Sequence, residues 1–183
     1  MSMNTNRFTE KSQEAVESAV ATAQRNANAQ VEPEHLLLAL LNQTDGVVPQ
    51  VLSKLNIAVG ALIRQATDEL NRLARVHGDS LQVVASSRLQ NVIRRAYDEL
   101  GQFGDEFVST EHLLLSLLAN AGAAAQRILQ QGGLTRDNLL AALREVRGTQ
   151  RVTSPTPEGT YAALDQYGRN LTDLARRGKL DPV

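Results

Sequence analysis

The 183-residue chain contains no cysteine. That removes thiol nucleophiles, thiolate-bound zinc and disulfides together, and it fits a reducing cytoplasm. Tryptophan is absent, and with three Phe and three Tyr there are too few rings for a base-stacking platform. A net charge of −1 leaves no basic excess to neutralise phosphates, so nucleic acid is not an expected partner. The longest apolar run, Leu36 to Leu41, is six residues, against about 20 for a bilayer span. No basic segment leads into an apolar stretch near the N-terminus, so no signal peptide and no membrane partner are expected.

Catalytic signatures are missing as well. There is no G-x-S-x-G elbow, and the one Gly-Lys pair, Gly178-Lys179, lacks the upstream glycine of a phosphate loop. Acidic pairs such as Asp105-Glu106 are better read as solvation at helix ends than as general acid–base machinery. The chain as given reads as non-enzymatic. What remains plentiful is Ala, Leu, Gln, Glu and Arg, a composition that favours an all-α fold. At this length folding hides roughly 70% of the unfolded surface, so no metal or disulfide is needed for stability.

The sequence also repeats itself. "VEPEHLLLALL" (31–41) returns as "VSTEHLLLSLL" (108–118), 77 positions later. At that offset residues 9–70 align without a gap on 86–147, with twelve identities, among them Gln13/Gln90, Ala19/Ala96, Leu52/Leu129 and Leu62/Leu139. A register kept that long indicates tandem duplication. Each copy reads as four helices. Ala15, Val16, Ala19, Val20 and Ala23 form one apolar stripe capped by Thr9; Leu89, Val92, Ile93, Ala96, Tyr97 and Leu100 form its counterpart, capped by Ser86. The second helix is the repeated Leu run, opened by Ser109 in one copy and by Glu32 with Pro33 in the other. Glu34 and Glu111 then fall in the first turn, where the helix dipole favours negative charge. A helix apolar on nearly every face must be buried all round, so these two should be the hubs of the core. Third helices are expected at 47–55 and 122–131, with Asn56 and Gly132-Gly133 as left-handed stops, and fourth helices at 58–76 and 135–146.

Residues 1–147 thus make a duplicated domain, its copies packed as a pseudo-twofold pair joined by a connector at 77–85. "GTQRVTSPTPEGT" (148–160) is polar, with two prolines and two glycines, and reads as a flexible linker. Residues 161–183 regain a helical pattern and read as the opening of a further domain. His35 and His112 stand at equivalent places and invite a metal reading, but the order E-H-L-L-L lacks the H-E-x-x-H spacing. A packing or hydrogen-bonding role at the helix end is preferred for both. His77 is assigned to solvent.

A duplicated four-helix unit carrying "EHLLL" after a cap resembles the N-terminal Clp repeat domain of bacterial AAA+ unfoldases. The tail "LDQYGRNLTDLARRGKLDPV" is similar to the segment that introduces their first ATPase module, and "VRGTQRVTSPTPE" and "NQTDGVV" point to the ClpB-type disaggregases. The resemblance implies a substrate-sensing domain for unfolded or aggregated polypeptides, monomeric in isolation. The whole protein would be a homohexameric, cytoplasmic ATPase using ATP and Mg and working with a DnaK-type chaperone; no cofactor is expected in this chain. By the same resemblance substrate contact falls to Thr9, Asp105 and Glu111, the two acids placing negative charge beside an apolar groove. Asn28 stands where the second copy has Asp105, which argues against an equivalent site at Glu34. The alternative is an adaptor-docking domain of a ClpC- or ClpA-type unfoldase that feeds a protease.

Overall fold

Thr9 and Ser86 both cap helices. In the computed structural model, which describes residues 3–78, 82–120 and 122–157, Thr9 Oγ1 accepts from the Ser12 N–H (3.3 Å) and Ser86 Oγ from the Leu89 N–H (3.1 Å). Each satisfies a donor that the first helical turn leaves open. They start α1 (Glu10–Arg25) and α5 (Ser87–Phe103). The first unit continues through α2 (Pro33–Asn42), α3 (Val47–Lys54) and α4 (Val59–Asn71). The second continues through α6 (Thr110–Ala119), α7 (Ala124–Gln131) and α8 (Arg136–Arg147).

The central helices are α2 and α6. Leu36, Leu37 and Leu40 in one, and Leu113, Leu114 and Leu117 in the other, are at most 1% exposed. Burying each such side chain contributes about 2 kcal/mol. The two units share this core: α2 packs on α6, α4 on α7 and α3 on α8.

The repeated Glu-His pair has an architectural explanation. His35 and His112 sit three residues after their N-caps and turn back, each Nδ1 accepting the N-cap backbone N–H at 2.9 Å, from Glu32 and from Ser109. Meanwhile the cap side chain accepts the backbone N–H of the histidine. Histidine fills the place that Glu or Gln takes in the usual capping box.

A reciprocal exchange locks the copies together. β1 (Gln30–Val31) pairs in parallel with β2 (Val84–Ala85), with Val31 opposite Ala85, and an isolated bridge pairs Phe8 with Val108. These are equivalent contacts under the 77-residue offset: the residue before each long helix's N-cap pairs with the valine before the N-cap of the other copy's central helix. Ser86 N–H donates to the Val31 carbonyl and Thr9 N–H to the Val108 carbonyl, both at 3.0 Å.

Some boundaries differ from expectation. α4 stops at Asn71 rather than 76, because the chain is drawn across the end of α1, where the Val76 N–H donates to the Ala27 carbonyl at 2.8 Å. α7 begins at Ala124 rather than 122. Asn56 (φ 56°) and Gly133 (φ 99°) are left-handed as expected, whereas Gly132 is right-handed and serves close packing instead. A Cβ there would lie 2.7 Å from Leu62 Cδ2 of α4.

Part of the segment expected as a linker is docked. Residues 150–155 lie against the domain, and Val152 is fully buried in its core. The helical pattern expected at 161–183 lies outside the described residues.

Candidate functional site

Asp105 follows α5 in the turn set by Gly104, whose φ of 65° places the backbone in the left-handed region. The turn directs the Asp105 carboxylate inward, under the end of α8. Arg147 Nη2 donates to both of its oxygens (2.7 and 2.8 Å), the Val152 N–H donates to Oδ1 (2.8 Å), and His112 Nε2 lies 2.8 Å from Oδ2. Because His112 Nδ1 accepts the Ser109 N–H, Nε2 carries the proton and donates to Asp105. Burial alone would push the carboxyl up; the bonds from His112, Arg147 and Val152, with the arginine charge, bring it down to about 2.

Glu111 is fully buried in the first turn of α6, with Oε1 3.7 Å from Arg147 Nη1. Arg147 thus stands between the two acids, and its guanidinium lies 5.2 Å above the Phe103 ring centroid. Thr9 is buried one strand away, joined to this cluster through Val108. The structure therefore brings Asp105 and Glu111 onto one cation, with Thr9 beside them as an N-cap. It does not present the acids on a groove. Both acids are buried for a physical reason: a carboxylate as deep as that of Asp105 is held by paired donors, and its partners come from residues 112, 147 and 152. The exposed-helix-end reading of Asp105 fails on the same ground.

The first copy lacks this network. Its equivalent residues are Asn28 and Leu70, and His35 Nε2 lies 3.1 Å from Asn28 Oδ1. Burial lowers the His35 pKa, partly offset by the Glu32 charge and backbone. Glu34 accepts from the Ala125 N–H (3.2 Å) and from Arg88 (3.3 Å), tying α2 to α7 and α5. Among the described residues no group of three or more His, Asp or Glu side chains is placed to hold a metal.

Beside this cluster a recess of about 240 Å³ is lined by Phe103, Leu143 and Arg147 among others, and two larger recesses lie elsewhere. A recess of about 310 Å³ along α5 is lined by Met3, Asn4, Ile93, Arg94 and Tyr97 among others. A second of about 390 Å³, lined by Met3, Val20, Val31 and residues 82–85, meets it at Met3. Val20 and Tyr97 are equivalent in the two copies, so the groove straddles the pseudo-twofold. Val84, on its rim, is 42% exposed. Reading each helix stripe as core concealed this surface; the signal available was that Val20 and Tyr97 lie at the edges of their stripes. No helix among the described residues is long and apolar enough to cross a membrane.

A family model described as the Clp repeat (R) N-terminal domain matches residues 7–132. The chain belongs to the Clp repeat N-terminal domain family. Chaperone protein ClpB of Nitratidesulfovibrio vulgaris is 41% identical over 185 aligned positions, covering 99% of this chain and 21% of the relative. Chaperone protein ClpB of Bdellovibrio bacteriovorus is 38% identical over 176, covering 96% and 21%. The chain spans about a fifth of the length of these relatives. The Hsp104 N-terminal domain of Candida albicans shares the Clp N-domain fold, with a TM-score of 0.71 at 23% identity, covering 81% of this chain and 96% of that one. A ClpV N-domain solved in complex with a VipB peptide also shares it, with a TM-score of 0.62 at 17% identity, covering 79% and 90%.

Proposed function

We propose that this Clp N-domain captures extended, apolar segments of unfolded or aggregated polypeptides. The observation that carries this is the groove around Met3, where apolar side chains from both copies line open recesses beside the partly exposed edge of β2. Such a groove suits a chain segment with alternating apolar residues, held in part by backbone hydrogen bonds. Binding should be weak, since ordering an extended chain offsets much of what a shallow surface gains. The peptide-bound ClpV N-domain supports the reading by shared fold, and the ClpB relatives support it by kinship with chaperones.

In the whole protein the captured segment passes to a hexameric AAA+ ring that uses ATP and Mg, alongside a DnaK-type partner in the cytoplasm. Thr9, Asp105 and Glu111 act in this proposal by fixing the edge next to the groove; Phe8 links the two, its ring 5.9 Å from that of Tyr97.

The test is a titration of the labelled chain with a permanently unfolded protein, reduced carboxymethylated lactalbumin. Val84→Asp and Tyr97→Ser should weaken binding about tenfold while the Tm stays within a few degrees, a loss equivalent to about 1.4 kcal/mol. Wild-type binding by both variants, with binding lost in a folded Thr9→Ala, Asp105→Ala, Glu111→Ala triple variant, would place the site at the acidic edge. No binding by any form would favour adaptor docking.

A further inference from the structure

Residues 150–155 do more than pass over the domain. Arg151 Nε donates to the Gly104 carbonyl (2.6 Å), and Val152 bonds on both sides, its N–H to Asp105 Oδ1 and its carbonyl from the Glu106 N–H, each at 2.8 Å. Further along, the Pro155 carbonyl accepts the Glu10 N–H at 2.8 Å. That N–H belongs to the first residue of α1, one of the donors a helix start leaves without an internal partner. Val152 is fully buried while Arg151, Thr153 and Ser154 are exposed. The contacts are those of a bound extended peptide: main-chain pairing, one small apolar residue in a slot, one basic residue at the rim.

The first copy offers a comparison. After α4 the chain crosses the equivalent turn, where Val76 N–H donates to the Ala27 carbonyl and Asn28 Nδ2 to the Ala74 carbonyl. There β2 follows eight positions after Val76 and is part of the lock between copies. Its residue equivalent to Val152 is Arg75, which is exposed. After α8 no strand of the domain follows among the described residues, and the crossing is secured instead by Val152 and by the acid at Asp105, which the first copy lacks.

We propose that residues 150–155 are an internal, displaceable occupant of the edge formed by residues 104–106 and the start of α1. An incoming extended polypeptide with a small β-branched residue next to a basic one takes their place. Asp105 is then a positioning residue that holds the segment by the Val152 N–H, rather than a contact for substrate. The inference rests on the polypeptide-binding reading of the domain, because it concerns what that polypeptide must displace.

Two measurements on the 183-residue chain test it, with reduced carboxymethylated lactalbumin as the probe. The first is hydrogen exchange of the wild-type chain, which needs no substitution. Saturating probe should speed exchange at the Val152 amide, which leaves with the displaced segment, while the Glu106 amide, paired in turn with the incoming chain, and the Val76 amide stay unchanged. The second is affinity: Val152→Ser should bind the probe about tenfold more tightly, the gain expected if the open form is about a tenth of the wild-type population. A synthetic peptide spanning residues 148–157 should compete with the probe for that variant. Probe binding that leaves the Val152 amide protected would overturn the proposal while sparing the groove. Binding by neither protein would remove both readings.

Discussion

At the scale of single residues the two copies differ most where a neutral pair in one is a charged pair in the other. Asn28 and Leu70 became Asp105 and Arg147, or the reverse, while the histidine between them stayed. A buried carboxylate costs several kcal/mol unless it is paired, so the two changes belong together. This covariation within one chain was visible at the 77-residue offset and would have placed Asp105 beside Arg147. Val152 gave no such signal, because one valine in a polar stretch carries no periodicity. The capping roles of Thr9, Ser86 and Ser109 were legible because caps depend on the adjacent residues alone. Asp105→Asn should lower stability by about 2 kcal/mol near neutral pH, comparable to losing hydrogen bonds to a charged group. The sign with pH follows from the depressed pKa. An acid held at about 2 when folded and near 3.8 otherwise stabilises above the higher value, and that contribution disappears as pH falls between them. Urea denaturation from pH 7 down to 2 should show a steeper acid limb for the wild type than for Asp105→Asn. Parallel limbs would mean that the carboxylate is not held as described.

Among elements, the helices that periodicity marked most strongly were the ones most accurately placed. α1, α2, α5 and α6 begin at caps written in the sequence, and their burial follows the apolar stripes. Helix ends were harder, because what ends α4 is a hydrogen bond to Ala27, far back in the chain. Ala27 is itself left-handed, φ 55°, where its equivalent is Gly104, so the geometry of this turn is kept even with an unfavourable residue. Gly132 shows the opposite case, a glycine kept for room rather than for backbone freedom. It lies where α7 meets Leu62 of α4, a contact between copies. Gly132→Ala should therefore destabilise by roughly 1–3 kcal/mol, as overpacking does, although alanine ordinarily suits a right-handed helix end. Thermal melts of Gly132→Ala alone and with Leu62→Ala distinguish the causes. If the second substitution fails to reduce the penalty of the first, the close approach is not its source.

For the molecule as a whole, duplication has produced one packed body rather than two. Each unit's central helix packs on the other's, and each long helix is entered through a strand pair that the other copy completes. The repeat and its pseudo-twofold were legible; the cross-pairing was not, because two-residue strands leave too short a pattern. Residues 1–77 alone should consequently show little helical circular dichroism and no cooperative melt, whereas the full chain shows both. A sharp transition in the half-chain would mean that the copies are independent. The docked segment after α8 bears on how far this domain can range from whatever it is joined to. While residues 148–157 lie along its flank they contribute nothing to the length of the tether. Released, ten residues extend at most about 3.3–3.6 Å each, or roughly 35 Å. The volume a joined partner could sweep would then grow, and its local concentration at the groove would fall.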